Sequence, residues 1–311
     1  MASRNKQIQG ETNPILTKFA TGYKPVQGIA HLVAPTVPSI KESGTLFSFG
    51  KEGFMVYDSE RALRAATKKI DFHLSKETFR CEEHALESSL DYEEIDIAAK
   101  YGPKEVLNLE KRAVQLTQQA LQTELEKAVA DIMFSATYYA SGNKVTLTSG
   151  DKFSDFDNSD PMGVVDTGMI AARADMGVEP NTGVIGYTAW KTLRKHPQLI
   201  DKIKYSMKGN LTPDLVAEIF GLEKLIVGKG VYSSDAGVFT DIWGDYFALI
   251  YVPPKSEMPE GTTPHTIVLE QTGFPRVKTY LSKKTKDYET TRKYQVKNVS
   301  TSNGYLISDM V

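Results

Sequence analysis

The residues whose types could support chemistry are few and scattered. Five histidines, His31, His73, His84, His196 and His265, are spread widely, and none stands in an HExxH arrangement. Cys81, Glu82, Glu83 and His84 place four potential ligands side by side, but in a strand-and-loop context and at spacings that match no zinc motif. They read as a surface charge cluster. Asp155, Asp157 and Asp160 suggest calcium, yet the loop lacks the glycine at its sixth position and the glutamate at its twelfth. Gly228-Lys229-Gly230 follows a short apolar strand, as a phosphate loop would, but neither GxxxxGK[ST] nor GxGxxG is present and no helix clearly follows. It reads as a plain turn. No GxSxG occurs, and Cys81 has no histidine base at a known family spacing. The expectation is no catalytic residue, no metal and no cofactor.

The best-specified part of the chain, residues 179–232, carries none of this chemistry. Val184 and Ile185 form a strand that runs into a helix opening at Thr188, an N-cap by its hydroxyl. Pro197 ends that helix and starts another. Gly209-Asn210 makes a turn, Thr212-Pro213 starts a third helix, Gly221 ends it, and Leu225 to Val227 is a second strand. Such punctuation describes packing. Trp190 and Trp243 lie in apolar periodic segments and read as core.

Around this module the elements are legible in outline. Residues 1–45 are polar, with prolines at positions 14, 25, 35 and 38 and no helical period. They read as an extended arm or a disordered tail. Ile70, Phe72 and Leu74 alternate with polar residues as a half-buried strand does, and Thr78 to Cys81 is a plausible partner strand. A two-stranded hairpin is marginal by itself and should rest on this chain or on a neighbour. Residues 103–140 keep apolar 3/4 spacing and predict one long helix of about 55 Å. Its stripe shifts register near Leu121, which favours a helix laid across a sheet over a coiled coil. A helix is expected over Val164 to Met176. Six consecutive apolar residues within Asp245 to Val252 predict a strand buried on both faces, closed by Pro253-Pro254. Four further strands are expected at Ile267–Leu269, Val277–Leu281, Tyr288–Val296 and Tyr305–Ile307.

Composition bounds the function. At 311 residues, 41% hydrophobic and 24% charged, the chain is ordinary globular material that can bury a sizeable core. No apolar run approaches the roughly 20 residues that span a bilayer, and the polar N-terminus does not read as a signal peptide. A single cysteine allows no intrachain disulfide and suggests a reducing cytosol. A net charge of −2 argues against tight nucleic-acid binding by the whole chain.

The charges are nonetheless segregated. Arg61, Arg64, Lys68, Lys69, Lys76 and Arg80 precede Glu82, Glu83, Glu87, Asp91, Glu93, Glu94 and Asp96. Two readings stand: a solvated face with incidental clustering, or a contact in which the basic part of one copy meets the acidic part of the next.

The order of elements resembles the major capsid protein of tailed bacteriophages, an α+β fold of the Hong Kong 97 type. The most specific stretches are Pro180 through Leu193, His196-Pro197 and Phe220 through Gly228, with Phe79 to Leu86 fitting the hairpin region. The resemblance implies an N-terminal arm over 1–45 and an extended β-hairpin loop over 46–97. It implies a discontinuous peripheral domain, 98–150 with 263–311, built on a long spine helix, and an axial domain over 151–262. The implied function is self-assembly into hexamers and pentamers of an icosahedral shell that encloses double-stranded DNA without sequence-specific binding or a membrane. Assembly would take place in the bacterial host cytoplasm and place the chain in the virion. The near-neutral charge suits a container that must not hold its genome too tightly. Separate scaffolding, portal and decoration proteins are the implied partners, and the fold beginning near residue 30 suggests that scaffolding is a separate protein. Lys68, Lys69 and Lys76 are available for an inter-subunit crosslink, but no motif selects one, so none is expected. The inter-subunit contact residues expected are Arg61, Arg64, Lys68, Lys69, Lys76, Arg80, Glu82, Glu83 and Glu87. Two other readings remain: an encapsulin-type compartment shell, and a cytosolic enzyme with an unrecognised site.

Overall fold

The computed structural model describes residues 10–23, 27–49, 55–61, 63–64, 66–67, 69–70, 74–203, 211–234, 237–253 and 264–311. Lys68, Phe72, the Gly209-Asn210 turn, Pro25 and Pro254 lie outside the described residues.

The N-terminal part contributes β1 (Glu11–Thr12), α1 (Pro14–Thr21), α2 (Ala30–Val33) and β2 (Thr36–Ser39). A hairpin of β3 (Ser43–Phe49) and β4 (Leu74–Arg80) leads into β5 (Glu82–Asp91), α3 (Tyr92–Lys100) and the long α4 (Pro103–Met133). The middle of the chain carries β6 (Lys144–Thr146), α5 (Pro161–Met176), β7 (Thr182–Gly186), α6 (Tyr187–Leu193), α7 (Pro197–Ile203) and α8 (Pro213–Ile219). It continues through β8 (Lys224–Gly228), the small pair β9 (Val231–Tyr232) and β10 (Thr240–Asp241), and β11 (Tyr246–Ile250). The last four strands are β12 (Thr266–Gln271), β13 (Arg276–Leu281), β14 (Thr285–Asn298) and β15 (Gly304–Ser308).

Two sheets share α4. In the first, β12 and β13 lie end to end along one edge of the long β14, and β5 runs antiparallel along its other edge from Glu82 to Asp91. β1 and β2 flank β13 and β12. In the second, β11 lies between β15 and β7, with β6 and β8 outside them. Strand alternation on β11 divides the interior into two cores. Phe247 and Leu249 join the helices α5, α6 and α8 around Trp190, Leu193 and Phe220. Ala248 and Ile250 point the other way, onto Leu125, Val129 and Met133 of α4.

The N-terminal half of α4 lies on the first sheet instead, where Val114 packs with Val277 and Tyr288. Gly102 at the N-cap position (φ 117°) and Pro103 at the first turn open this helix, where the missing N–H costs nothing. Its 31 residues end at Met133, seven short of the expected 140. The physical reason is Tyr139, whose buried hydroxyl donates to the Met133 carbonyl at 2.6 Å while its ring stacks on His265. The chain must turn to seat that ring.

Four other expectations are corrected. The arm is not simply extended: Asn13 caps α1 by accepting from the Ile15 and Leu16 amides, and Leu16 and Ala20 are buried. Leu74 and Thr78–Arg80 are not partner strands but parts of the single strand β4, whose partner is β3. Thr188 does not cap α6, which opens from Gly186 without a side-chain cap; its hydroxyl donates to Asp241 at 3.0 Å. The C-terminal strands do not all complete one sheet, because β15 pairs with β11 and β6 in the second.

Glycine is required where β7 and β8 end. A Cβ on Gly228 would stand 2.2 Å from the Trp243 ring, and one on Gly186 would stand 1.8 Å from the Gly244 carbonyl oxygen. Trp243 is fully buried in this gap.

Candidate inter-subunit surface

The charged hairpin is anchored at its base. Leu46, Phe79 and Val37 pack against Cys81, Ile267 and Leu269 on the face of the first sheet away from α4. The Cys81 amide donates to the Glu42 carbonyl at 2.7 Å, and the Arg80 amide donates to Gln295 Oε1 at 2.9 Å. Two lysines of β14 complete the attachment. Lys297 donates to the Thr78 carbonyl at 2.7 Å and pairs with Glu77 at 2.9 Å. Lys293 pairs with Glu83 at 3.1 Å and with Glu42 at 3.8 Å.

Beyond this base the described residues between 55 and 70 are exposed. Val56 is 100% and Leu63 92% exposed, and Met55 and Ile70 are exposed as well. Exposed single apolar residues are ordinary; here Met55, Val56, Tyr57, Leu63 and Ile70 fall within one stretch of sequence.

The candidate contact residues are not one cluster. Arg61, Arg64 and Lys69 lie in the projecting segment, and the Arg61 guanidinium donates to Thr67 at 3.2 Å. Lys76 and Arg80 are on β4, with Arg80 reaching Glu42 at 3.5 Å. Glu82, Glu83 and Glu87 are on β5, a strand paired only with β14 among the described residues, and all three are exposed. Lys68 lies outside the described residues. Sequence reasoning missed the intrachain partners Lys293 and Lys297. Their pairing depends on a strand register some two hundred residues away, which no local signal carries.

The groups considered for chemistry have ordinary explanations. Cys81 is buried with its thiol against the Leu269 carbonyl, and burial pushes its pKa up. His84 points elsewhere, stacked on Tyr294 and 3.0 Å from Glu124. Asp155 is held in a local turn by the Asn158 side-chain amide and the amides of Asp157 and Asn158, which keep its carboxyl below the usual range. Gly228 serves the packing of Trp243. Among the described residues no three His, Cys, Asp or Glu side chains converge on a metal-sized site.

The buried acid that sequence reasoning passed over is Glu126 of α4. Its Oε1 accepts from the Trp243 indole N–H at 2.8 Å and from the Ile29 amide at 2.8 Å; its Oε2 accepts from the Ala30 amide at 2.9 Å. One carboxylate thereby joins the N-terminal segment, α4 and the second sheet.

No protein-family profile matches the chain. It is 44% identical over 242 residues to the major capsid protein of Burkholderia phage BcepMu, covering 78% of this chain and 76% of that protein. The chain belongs to the phage major capsid protein family. The major capsid protein of Pseudomonas phage JBD67 is 25% identical over 259 residues, 81% of this chain and 80% of that one. A phage-related protein from Bordetella bronchiseptica RB50 superposes with a TM-score of 0.79 at 24% identity, covering 97% of this chain and 99% of that one. Solved phage and prophage capsid proteins share the Hong Kong 97-type fold at TM-scores of 0.54 to 0.58 and 8 to 11% identity. A holo encapsulin complex from Synechococcus elongatus gives 0.52 at 13% identity, covering 90% of this chain and 86% of that one. That last likeness shows the fold alone, whereas sequence identity runs to the phage capsid proteins. As a major capsid protein the chain is a structural component of the virion's capsid, a shell built from copies of itself.

Proposed function

We propose that copies of this chain assemble head-to-tail into hexamers and pentamers of an icosahedral head enclosing double-stranded phage DNA. The observation that carries the reading is the anchored hairpin whose far segment, 55–70, presents apolar side chains and arginines with nothing of its own chain over Val56 and Leu63. A head-to-tail contact that closes on rotation yields rings, and rings of two sizes tile a closed shell. In this reading residues 46–97 reach a neighbouring subunit through Arg61, Arg64, Lys68, Lys69, Lys76, Arg80, Glu82, Glu83 and Glu87. The first sheet with α3 and α4 is the peripheral domain, and the second sheet with α5 to α8 is the axial wedge. The role is structural rather than catalytic. Assembly occurs in the host cytoplasm, with separate scaffolding, portal and decoration proteins as partners, and DNA is enclosed without sequence-specific contacts.

Light scattering with negative-stain electron microscopy on the purified protein under assembly conditions tests this. Closed particles tens of nanometres wide are expected. A stable monomer or dimer under the same conditions would overturn it.

A further inference from the structure

The outward side of the α3–α4 corner carries apolar side chains that neither sheet uses. No residue of α3 is buried, although a capping box of Asp91 and Glu94 closes its N-terminus. Ile97 is 56% exposed, and Tyr101, four residues on and so on the same side, is 80% exposed. Between α3 and the first turns of α4 runs a groove of about 570 Å³, lined by Ala98, Tyr101, Glu105, Asn108 and Leu109. Leu116 of α4, 65% exposed, extends this strip. Eleven residues make three helical turns, so Leu116 shares the face of Glu105 and lies about 16 Å further along. The α3 end of the strip is acidic. Glu93, Asp96 and Glu105 are exposed there, and residues 91–105 hold five carboxylates against two lysines.

Two features select the occupant. Carboxylates repel phosphate, so neither nucleic acid nor an anionic lipid surface fits the α3 end. An apolar strip three turns long, with a groove at one end, is the shape that takes an amphipathic helix through its i, i+3, i+4 and i+7 side chains. We infer that the α3–α4 strip docks a basic amphipathic helix of a separate protein. That helix lays its apolar stripe along Tyr101 and Leu116, and sets its most basic end against Glu93, Asp96 and Glu105. Apolar burial supplies the affinity, while the charges fix the direction in which the helix lies. The strip is across the first sheet from the hairpin base, which packs on the face away from α4. Docking here is therefore a property of the single subunit and does not rest on the shell reading.

The test titrates the full chain, kept unassembled, against a fluorescent peptide of leucine and lysine about 18 residues long, enough to hold a helix. Its leucines recur every third or fourth residue. One control replaces lysine with glutamate, and another keeps the composition but breaks the stripe. Anisotropy should show saturable binding of the lysine peptide, with both controls at least about tenfold weaker. Leu116→Ser and Tyr101→Ser should each weaken it about tenfold. Ile170→Ser, an equally exposed apolar site on α5, should leave it unchanged. Glu105→Lys gives a charge arm that alters no apolar contact: it should weaken the lysine peptide and strengthen the glutamate one. Absence of saturation, equal binding of the broken-stripe peptide, or equal loss in Ile170→Ser overturns the inference. Self-association of the unaltered chain that Leu116→Ser abolishes would make a second copy the occupant and overturn it too. Binding of duplex DNA lost in the same variants would do the same.

Discussion

The Glu126 carboxylate and the Trp243 indole N–H meet at 2.8 Å in the space between the two sheets, 117 residues apart in sequence. The same carboxylate holds the Ile29 and Ala30 amides. A buried polar joint of this kind is a single point at which three parts of the chain must agree on their placement. Removing the acceptor leaves three buried donors without partners, each costing about 1–3 kcal/mol. Glu126→Ala should therefore destabilise the subunit by at least about 3 kcal/mol. Glu126→Gln, which keeps one acceptor oxygen, should lose less. Urea denaturation followed by tryptophan fluorescence measures both, and equal stability of Glu126→Ala and the unaltered chain would contradict the joint.

Acid should weaken the fold through His265. Burial pushes its pKa down to about 4, from an ordinary value near 6.5. The ring lies between Tyr139, Thr266, the Tyr138 carbonyl and Asn298. The folded state favours the neutral ring, so the unfolded chain takes up the proton first. Stability is intact above about pH 6.5 and declines as pH falls toward 4, by up to about 3 kcal/mol from this residue. His196, also pushed down by burial, adds in the same direction. Urea midpoints measured from pH 7 to pH 4 should fall, and His265→Gln should flatten part of that slope. An unchanged slope in the variant would assign the acid sensitivity elsewhere.

The hairpin base should be separable from the fold. Lys297→Met removes the bond to the Thr78 carbonyl and the pair with Glu77. These are half-exposed contacts, so global stability should change by less than about 1 kcal/mol. Cleavage by trypsin at Lys76 and Arg80, on β4 at the anchored base, should nevertheless accelerate several-fold, because local opening there is governed by the anchor and not by the cores. Equal cleavage rates would mean that the apolar packing of Leu46 and Phe79 holds the base alone.

Reversing Arg61 and Arg64 to glutamate should impair particle formation while leaving subunit stability within about 0.5 kcal/mol, as exposed positions away from the cores allow. Sedimentation gives particle yield, and denaturation gives stability. Unchanged yield would remove the proposed role of these arginines.

Elements announced by local chemistry were legible in the sequence. Pro103, Pro197 and Thr212-Pro213 mark real helix starts, and the apolar run from Tyr246 to Ile250 is a strand buried on both faces. Asp160 extends α5 by one turn beyond its apolar pattern, as a cap does. Elements that depend on distant pairing were not legible. The β3–β4 pairing joins segments separated by more than twenty residues without a turn signature, so the sequence pattern alone places Leu74 and Thr78 on opposite strands. α1 is hidden because Pro14, which starts it, is one of several prolines in a polar stretch with no helical period. Nothing near Glu126 in sequence announces its partner Trp243, 117 residues away. For the contact surface, the segregation of charge was visible, but the capture of Arg80 and Glu83 by Glu42 and Lys293 was not.

The central claim is that the projecting hairpin joins one subunit to the next. Cryo-electron microscopy of assembled particles, at a resolution that traces the backbone, tests it most directly. The account predicts density for the hairpin of each copy lying against an adjacent copy. Density in which that segment folds back onto its own subunit, with neighbours joined by other surfaces, would contradict it.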